Sequence, residues 1–208
     1  MEKEMYVSRV KLNMEKRNTI IAFANPVHFH GAIAHAFLNY EVARPLWRID
    51  QINGEKYLLI VSNGIPNLAS IVDQFGFVNE TDTAQTKSYD NFLNNIENGT
   101  TWNFRLAANP VVCKGGHRVP HKTPEHQISW LKSRSGDYGF EVLEATVSGV
   151  TSFHLQKGGG SKKKSDMVIA TYDGTLIVTD KAKFVKTLKV GFGHCKAYGA
   201  GLLTVVSG

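Results

Sequence analysis

The same order of strand and helix signals occurs twice along the 208 residues. In the first half, alternating polar and apolar residues predict a strand at Tyr6–Leu12, and Asn25-Pro26 begins a helix that runs to about Tyr40. The remaining elements are a hairpin around Asn53-Gly54, a short helix at 67–74, a polar loop at 79–100 and a closing strand at 101–107. This order is β-α-β-β-α-β, the ferredoxin-like pattern.

The second half repeats the order. Its predicted elements are a short strand at 118–121, a helix opened by Thr123-Pro124, extended segments at 140–147, 151–155, 167–171 and 176–178, a helix capped by Asp180, and a strand at 202–206. The sequence therefore predicts an α+β protein with two tandem ferredoxin-like domains, each βαββαβ as in an RNA recognition motif. We expect the domains at residues 1–112 and 117–208.

The basic residues are concentrated in the second half. The whole chain has 24 Lys/Arg and 18 Asp/Glu, a net charge of +6. Residues 1–104 hold 9 Lys/Arg against 11 Asp/Glu, a net −2, whereas residues 105–208 hold 15 against 7, a net +8. A one-sided positive charge indicates a polyanionic partner, although such charge also keeps a protein in solution.

Several other classes of protein do not fit the chain. Cys113 and Cys195 are far apart and the N-terminal segment has no apolar signal region, so we expect no disulfide framework and a cytoplasmic location. No apolar stretch approaches the roughly 20 residues that span a bilayer, so we expect no membrane contact.

Three of the eight histidines, His28, His30 and His35, lie on the first predicted helix. At 100° per residue no two of them can share a metal ion while the segment is helical, so we expect no metal. Helical spacing groups the apolar residues into one buried face, namely Phe29, Ile33, Ala36, Phe37 and Tyr40. His30 falls at the edge of that face, where an imidazole can serve as a general acid or base or can simply pack.

The stretch Gly191-Phe-Gly-His-Cys-Lys-Ala-Tyr-Gly-Ala-Gly201 is rich in glycine. It differs from a dinucleotide fingerprint because Lys196 stands where that motif has glycine and only one strand follows. Its glycines predict a loop whose N–H groups hold a phosphate beside Lys196; they are Gly191, Gly193, Gly199 and Gly201. The alternative is a tight turn that lets two backbones approach closely.

A second glycine-rich stretch, residues 157–164, is strongly basic. Its cations are Lys157, Lys162, Lys163 and Lys164. It predicts either a cationic finger that enters a nucleic-acid groove or a solvated run of charge.

Seven segments share the order and spacing of one known family. They are Met5-Tyr-Val-Ser-Arg-Val-Lys-Leu12, Asn25-Pro-Val-His-Phe-His30, Leu46-Trp-Arg48, Phe104-Arg-Leu-Ala-Ala-Asn-Pro110, Arg118-Val-Pro-His-Lys-Thr123, Gln127-Ile-Ser-Trp-Leu131 and Gly191-Phe-Gly-His-Cys-Lys-Ala-Tyr-Gly-Ala-Gly-Leu-Leu203. Over essentially the whole chain the sequence resembles the CasE family, the CRISPR precursor-RNA endoribonucleases of type I-E Cascade. The resemblance implies tandem ferredoxin-like domains that bind the CRISPR repeat stem-loop and cut at the 3′ base of its stem. It also implies a protein that stays bound as a subunit beside other Cascade subunits.

The resemblance also assigns roles to residues. Members place a catalytic histidine early in the first helix, and His30 matches that position, with His28 as the alternative. A basic residue five positions later matches His35, which implies an auxiliary electrostatic role. Members carry Tyr three residues before the histidine, whereas this chain has Val27, which puts a tyrosine-assisted mechanism in doubt.

The implied chemistry is transesterification without a metal or other cofactor. The ribose 2′-OH attacks the adjacent phosphorus and leaves a 2′,3′-cyclic phosphate and a 5′-OH, with His30 as general base or general acid. Because the bases of A-form RNA are hidden in a narrow major groove, we expect contacts mainly to phosphates. The expected contacts are Arg118, Lys122, Lys157, Lys162, Lys163, Lys164 and Lys196. A non-cleaving RNA-binding subunit of the same fold and a basic assembly protein are the alternatives.

Overall fold

The structure, a computed structural model, describes residues 4–156 and 164–208. The chain divides into two compact units. The first unit contains the chain up to Ile96 together with Lys196–Leu202, which we call the return segment. The second unit contains Glu97–Cys195 and Leu203–Gly208. This division differs from the predicted domain limits 1–112 and 117–208, because the predicted junction lies inside the second unit.

The first unit contains one antiparallel sheet with the strand order β2-β3-β1-β4. Its strands are β1 (Tyr6–Lys11), β2 (Leu46–Ile52), β3 (Glu55–Ser62) and β4 (Ala84–Ser88). Its helices are α1 (Arg17–Ala24), α2 (Val27–His35), α3 (Tyr40–Ala43), α4 (Leu68–Phe75) and α5 (Asp90–Asn94). Helices follow the first and third strands, so the unit is ferredoxin-like, as the sequence predicted.

The core of the first unit lies between the sheet and helices α1, α2 and α4. Val10 and Leu12 alternate with more exposed residues along and just after β1, which is the pattern that the sequence predicted for a half-buried strand. The β2–β3 hairpin turns at Asn53 and Gly54, both at positive φ, as the predicted two-residue turn requires. These strands give α2 a fixed apolar surface to pack against.

The second unit contains another antiparallel sheet, in the order β10-β5-β9-β8. Its strands are β5 (Thr101–Ala108), β8 (Phe140–Gln156), β9 (Lys164–Val178) and β10 (Leu203–Val206), and a separate two-stranded arm is formed by β6 (Val111–Lys114) and β7 (His117–Pro120). Its helices are α6 (Pro124–Ser135) and α7 (Lys181–Val190). The side chains of Thr123 and Asp180 accept hydrogen bonds from the backbone N–H groups of His126 and Lys183, which confirms both predicted helix caps. With one four-stranded sheet and two helices, the second unit is ferredoxin-like as well.

Three predicted elements of the chain are corrected. Residues 101–107 do not close the first sheet; as β5 they pair with β9 and β10 in the second. The strand that closes the first sheet is β4, inside the predicted polar loop 79–100. Its sequence, Ala-Gln-Thr-Lys-Ser, is polar because it lies at a sheet edge, and it has no apolar alternation to signal a strand. Of the predicted strand 118–121, residues 118–120 lie in β7 of the arm instead of opening the second sheet.

Candidate active site

Helix α2 holds His30 at the edge of the first core. Its neighbour Phe29 is buried, and the centroid of its ring lies 4.9 Å from that of Phe75 and 5.8 Å from that of Trp47. Burying a side chain of this size contributes about 1.5–3 kcal/mol, enough to fix the rotation of a nine-residue helix about its axis. His30 is half-buried, as the helical spacing predicted, and therefore has one side in the protein and one in solvent.

The aromatic ring of Tyr40 lies beside His30. Tyr40 Oη is 3.5 Å from His30 Nδ1, and the two ring centroids are 5.6 Å apart at an interplanar angle of 80°. The sequence predicted Tyr40 only as part of a buried helical face. In the structure α2 ends at His35 and Tyr40 begins the separate helix α3, which turns its ring toward the imidazole.

The other two histidines of α2, His28 and His35, are exposed. His35 Nδ1 lies 2.7 Å from the carbonyl oxygen of Gly31, one helical turn earlier. Because a carbonyl only accepts, Nδ1 of His35 carries a proton and donates it. His28 precedes His30 by two positions, a rotation of about 200° around the helix, so the two rings leave α2 on different sides.

The return segment brings Lys196 into the first unit. Its 3₁₀ turn, Lys196–Tyr198, packs against α2 and β2. Burial lowers the pKa of Lys196, and the nearby Arg44 guanidinium lowers it further. Arg44 directly follows α3, the helix that begins with Tyr40, so the segments that carry His30, Tyr40 and these two cations converge in the first unit. An imidazole, a phenol and two cations are suited to proton transfer beside a phosphate.

A buried ion pair holds the return segment on β2. Arg48 makes two hydrogen bonds of 2.7 Å to the Asp50 carboxylate, and it donates another, 2.8 Å long, to the carbonyl oxygen of Leu202. The two side chains are only 4% and 9% exposed. Arg48 thus fixes the end of the segment that carries Lys196, a role that the sequence alone does not reveal.

Three N–H groups of the glycine-rich loop are occupied by bonds within the protein. The N–H of Gly191 donates to the Thr187 carbonyl, that of Gly193 to the Tyr138 hydroxyl, and that of Gly199 to the Lys196 carbonyl. The predicted glycines, Gly191, Gly193, Gly199 and Gly201, all have positive φ. A Cβ on Gly199 would come within 3.0 Å of the Trp47 ring. The geometry therefore favours the alternative prediction, a tight turn that permits close approach.

The other predicted RNA contacts lie in the second unit or outside the described residues. Arg118 on β7 and Lys122 just after it are exposed. Lys164 is the first residue of β9, where its backbone pairs with Gln156. Lys157, Lys162 and Lys163 lie outside the described residues. Lys196 thus packs with the first unit, whereas Arg118 and Lys122 belong to the second.

Neither a metal cluster nor a membrane helix is found in the described part of the chain. Within residues 4–156 and 164–208, no three His, Cys, Asp or Glu side chains are grouped as metal ligands would be. No helix of these ranges is long and apolar enough to cross a bilayer.

Two units, each with a four-stranded antiparallel sheet, define the class of α+β proteins with tandem ferredoxin-like domains. Comparison with known proteins identifies the family. A model of the family described as "CRISPR associated protein" matches residues 5–206. The chain is 28% identical to the CRISPR-associated endoribonuclease Cse3 of Thermus thermophilus, over 97% of this chain and 99% of that protein. The chain belongs to this CRISPR-associated family.

Solved structures give the same result. The structure of Thermus thermophilus Cse3 bound to an RNA representing a pre-cleavage complex matches with a TM-score of 0.81 at 25% identity, over 98% of this chain and 99% of that chain. A chain of a CRISPR RNA-guided surveillance complex, pre-nicking, matches with a TM-score of 0.64 at 18% identity, over 97% of this chain and 99% of that chain. It therefore has the same fold. The tandem ferredoxin-like fold predicted from the sequence is confirmed.

Proposed function

We propose that the protein is a CRISPR precursor-RNA endoribonuclease that binds the repeat stem-loop, cuts at the 3′ base of the stem and remains bound as a Cascade subunit. The observation that carries the proposal is His30, half-buried on a helix fixed by the core and touching Tyr40, in a chain similar along its whole length to an endoribonuclease. A surveillance-complex chain with the same fold supports the place among other Cascade subunits.

The proposed reaction is transesterification within the RNA. A base removes the proton from the 2′-OH, the O2′–P bond forms, and the P–O5′ bond breaks as the leaving oxygen takes up a proton. The products are a 2′,3′-cyclic phosphate and a 5′-OH. His30 moves one of these protons, and a positioned imidazole accelerates such a step by about 10²–10⁴. No metal or cofactor is required.

Cations bind the RNA and stabilise the charge that develops on the phosphoryl oxygens. Lys196 is the candidate whose turn packs on α2, the helix of His30. Arg118 and Lys122 are exposed and can reach stem phosphates. The basic stretch adds further candidates, namely Lys157, Lys162, Lys163 and Lys164. His35, exposed on α2, is the candidate for the auxiliary electrostatic role. The location that we propose is the cytoplasm, on the sequence features given above.

The test is cleavage of a repeat hairpin in EDTA by the parent and by His30→Ala. We expect the parent to cut without a divalent ion and His30→Ala to bind RNA with the parent's affinity while its single-turnover rate falls by about 10²-fold or more. His28→Ala is the matched control, because it removes a neighbouring exposed histidine from the same helix, and it should cut normally.

Each other outcome overturns a specific part of the proposal. Parent-like cleavage by His30→Ala would remove its assigned role, and loss in His28→Ala alone would transfer the role to His28. A parent that cuts only with Mg²⁺ would refute metal-independent transesterification. A parent that binds the hairpin and never cuts it would identify the non-cleaving RNA-binding subunit.

A further inference from the structure

We propose that Tyr40 is a positioning residue for His30, whose Nδ1–H donates to the Tyr40 hydroxyl so that Nε2 faces the RNA. The inference rests on the proposed role of His30 and names the group that orients its ring. Tyr40 meets His30 in two ways at once, by the approach of its hydroxyl to Nδ1 and by the contact between the two rings.

The geometry of the contact restricts the orientation of the His30 ring. The rings meet edge to face, so the tyrosine restricts rotation of the imidazole while its oxygen lies 3.5 Å from Nδ1. This distance is at the long end for a hydrogen bond, and catalytic hydrogen bonds are often long before substrate binds and shorten in the complex. Closure by a few tenths of an ångström is sufficient.

Tyr40 is held in place independently of His30. The Asn39 side chain caps α3 by accepting the Val42 N–H at 3.1 Å, and the Arg44 N–H returns to the Tyr40 carbonyl at 2.9 Å. Ala43, the last residue of α3, is buried, and its carbonyl accepts the Asn63 N–H. The backbone under the ring is therefore preorganised.

A phenol is chemically suited to this position. To accept a proton at Nε2, a neutral imidazole must carry its proton on Nδ1, and after it has accepted the proton both nitrogens carry one. Nδ1–H therefore donates to the Tyr40 oxygen before and after transfer. Burial, reinforced by the Glu41 carboxylate, raises the pKa of Tyr40, so the acceptor stays a neutral hydroxyl at working pH. A neutral hydroxyl can accept from Nδ1–H in both protonation states of the ring, and because it carries no charge it leaves the imidazole able to release its proton again.

The contact with Tyr40 distinguishes His30 from the other residues of α2 that were considered above. In His35 the Nδ1–H is already donated to the Gly31 carbonyl of its own helix. Val27, one turn before His30, is exposed and has no polar side-chain group to offer. Tyr40 reaches His30 from a different helix, so it orients the ring relative to the rest of the unit.

The experiment compares the parent, Tyr40→Phe and Tyr57→Phe on the repeat hairpin under single-turnover conditions. Tyr40→Phe keeps the ring and removes only the hydroxyl, so we expect the cleavage rate to fall about 5–10-fold while the RNA Kd stays within about twofold. Tyr57→Phe removes a hydroxyl from β3 of the same unit and should cut like the parent. In a His30→Ala background, Tyr40→Phe should cause no further loss, because its effect passes through His30.

A second measurement does not depend on cleavage. The ¹⁵N chemical shifts of the His30 ring reveal which nitrogen carries the proton. For the neutral form of this ring, we expect mainly the Nδ1–H tautomer in the parent protein and a mixture of the two tautomers in Tyr40→Phe. A parent-like rate in Tyr40→Phe, or an unchanged tautomer ratio, overturns the inference while leaving the endoribonuclease intact. If His30→Ala itself cuts like the parent, the proposed catalytic role fails first, and the two failures are thus distinguished.

Discussion

Replacing Asp50 with Ala should destabilise the first unit severely. The change removes the carboxylate that accepts two hydrogen bonds from Arg48 and leaves a guanidinium that is 4% exposed. Removing one partner of a buried pair typically costs about 3–5 kcal/mol. For a unit of roughly 100 residues, each kcal/mol lowers Tm by about 4–8 °C, so we expect a fall of at least about 12 °C by calorimetry.

The matched control is the double variant Arg48→Met with Asp50→Leu. It removes both charges and refills the volume with apolar atoms, a change that is often neutral or stabilising in buried pairs. We therefore expect its Tm to lie much closer to the parent's than that of Asp50→Ala. If Asp50→Ala unfolds within about 1 kcal/mol of the parent in urea, the pair is solvated and the reasoning is wrong.

Two more predictions concern the binding of RNA. Replacing Lys162, Lys163 and Lys164 with Glu should weaken binding of an RNA hairpin made non-cleavable by a single 2′-deoxynucleotide at the cleavage site, and it should lower the slope of log K against log salt by about 0.9 for each phosphate that is no longer bound. The control variant carries the same charge reversals at Lys132, Arg134 and Lys186, which are exposed cations of the second unit; equal losses of affinity in the two variants would mean that the RNA responds to total charge and not to the 157–164 stretch. Lys196 must be protonated to hold a phosphate, and because burial lowers its pKa it loses its charge at lower pH than an exposed lysine does. Affinity of the parent should therefore fall relative to Lys196→Arg as the pH rises from about 7 to 9.5, since arginine stays charged, and parallel pH curves would exclude a phosphate contact at Lys196.

Helical periodicity was enough to place His30 but not to find its partner. The 3.6-residue repeat depends only on the buried residues of one helix, and Phe29 and Ile33 are buried as predicted. Tyr40 lies beyond a break in the helix, where Asn39 adopts an extended backbone and starts a new turn. An apolar pattern that spans the break cannot reveal the change of direction.

Two other features depend on partners distant in sequence. Arg48 has no evident role as a strand residue until Leu202, 154 positions later, supplies a carbonyl for it. The glycine motif predicted a tight turn as one of two alternatives, but the groups that occupy its N–H donors, such as the Tyr138 hydroxyl, are invisible in the motif itself. Local pattern determines local geometry, and tertiary contacts decide which groups stay available.

The return segment has a consequence for how the protein is made. The first unit needs Lys196–Leu202 to be complete, yet the whole of Glu97–Cys195 is synthesised in between. At about 5–20 residues per second, the ribosome requires roughly 5–20 s to cover that distance. During this time β2 lacks the chain that supplies the Leu202 acceptor for Arg48, so the nascent first unit stays an incomplete intermediate until Leu202 has been synthesised.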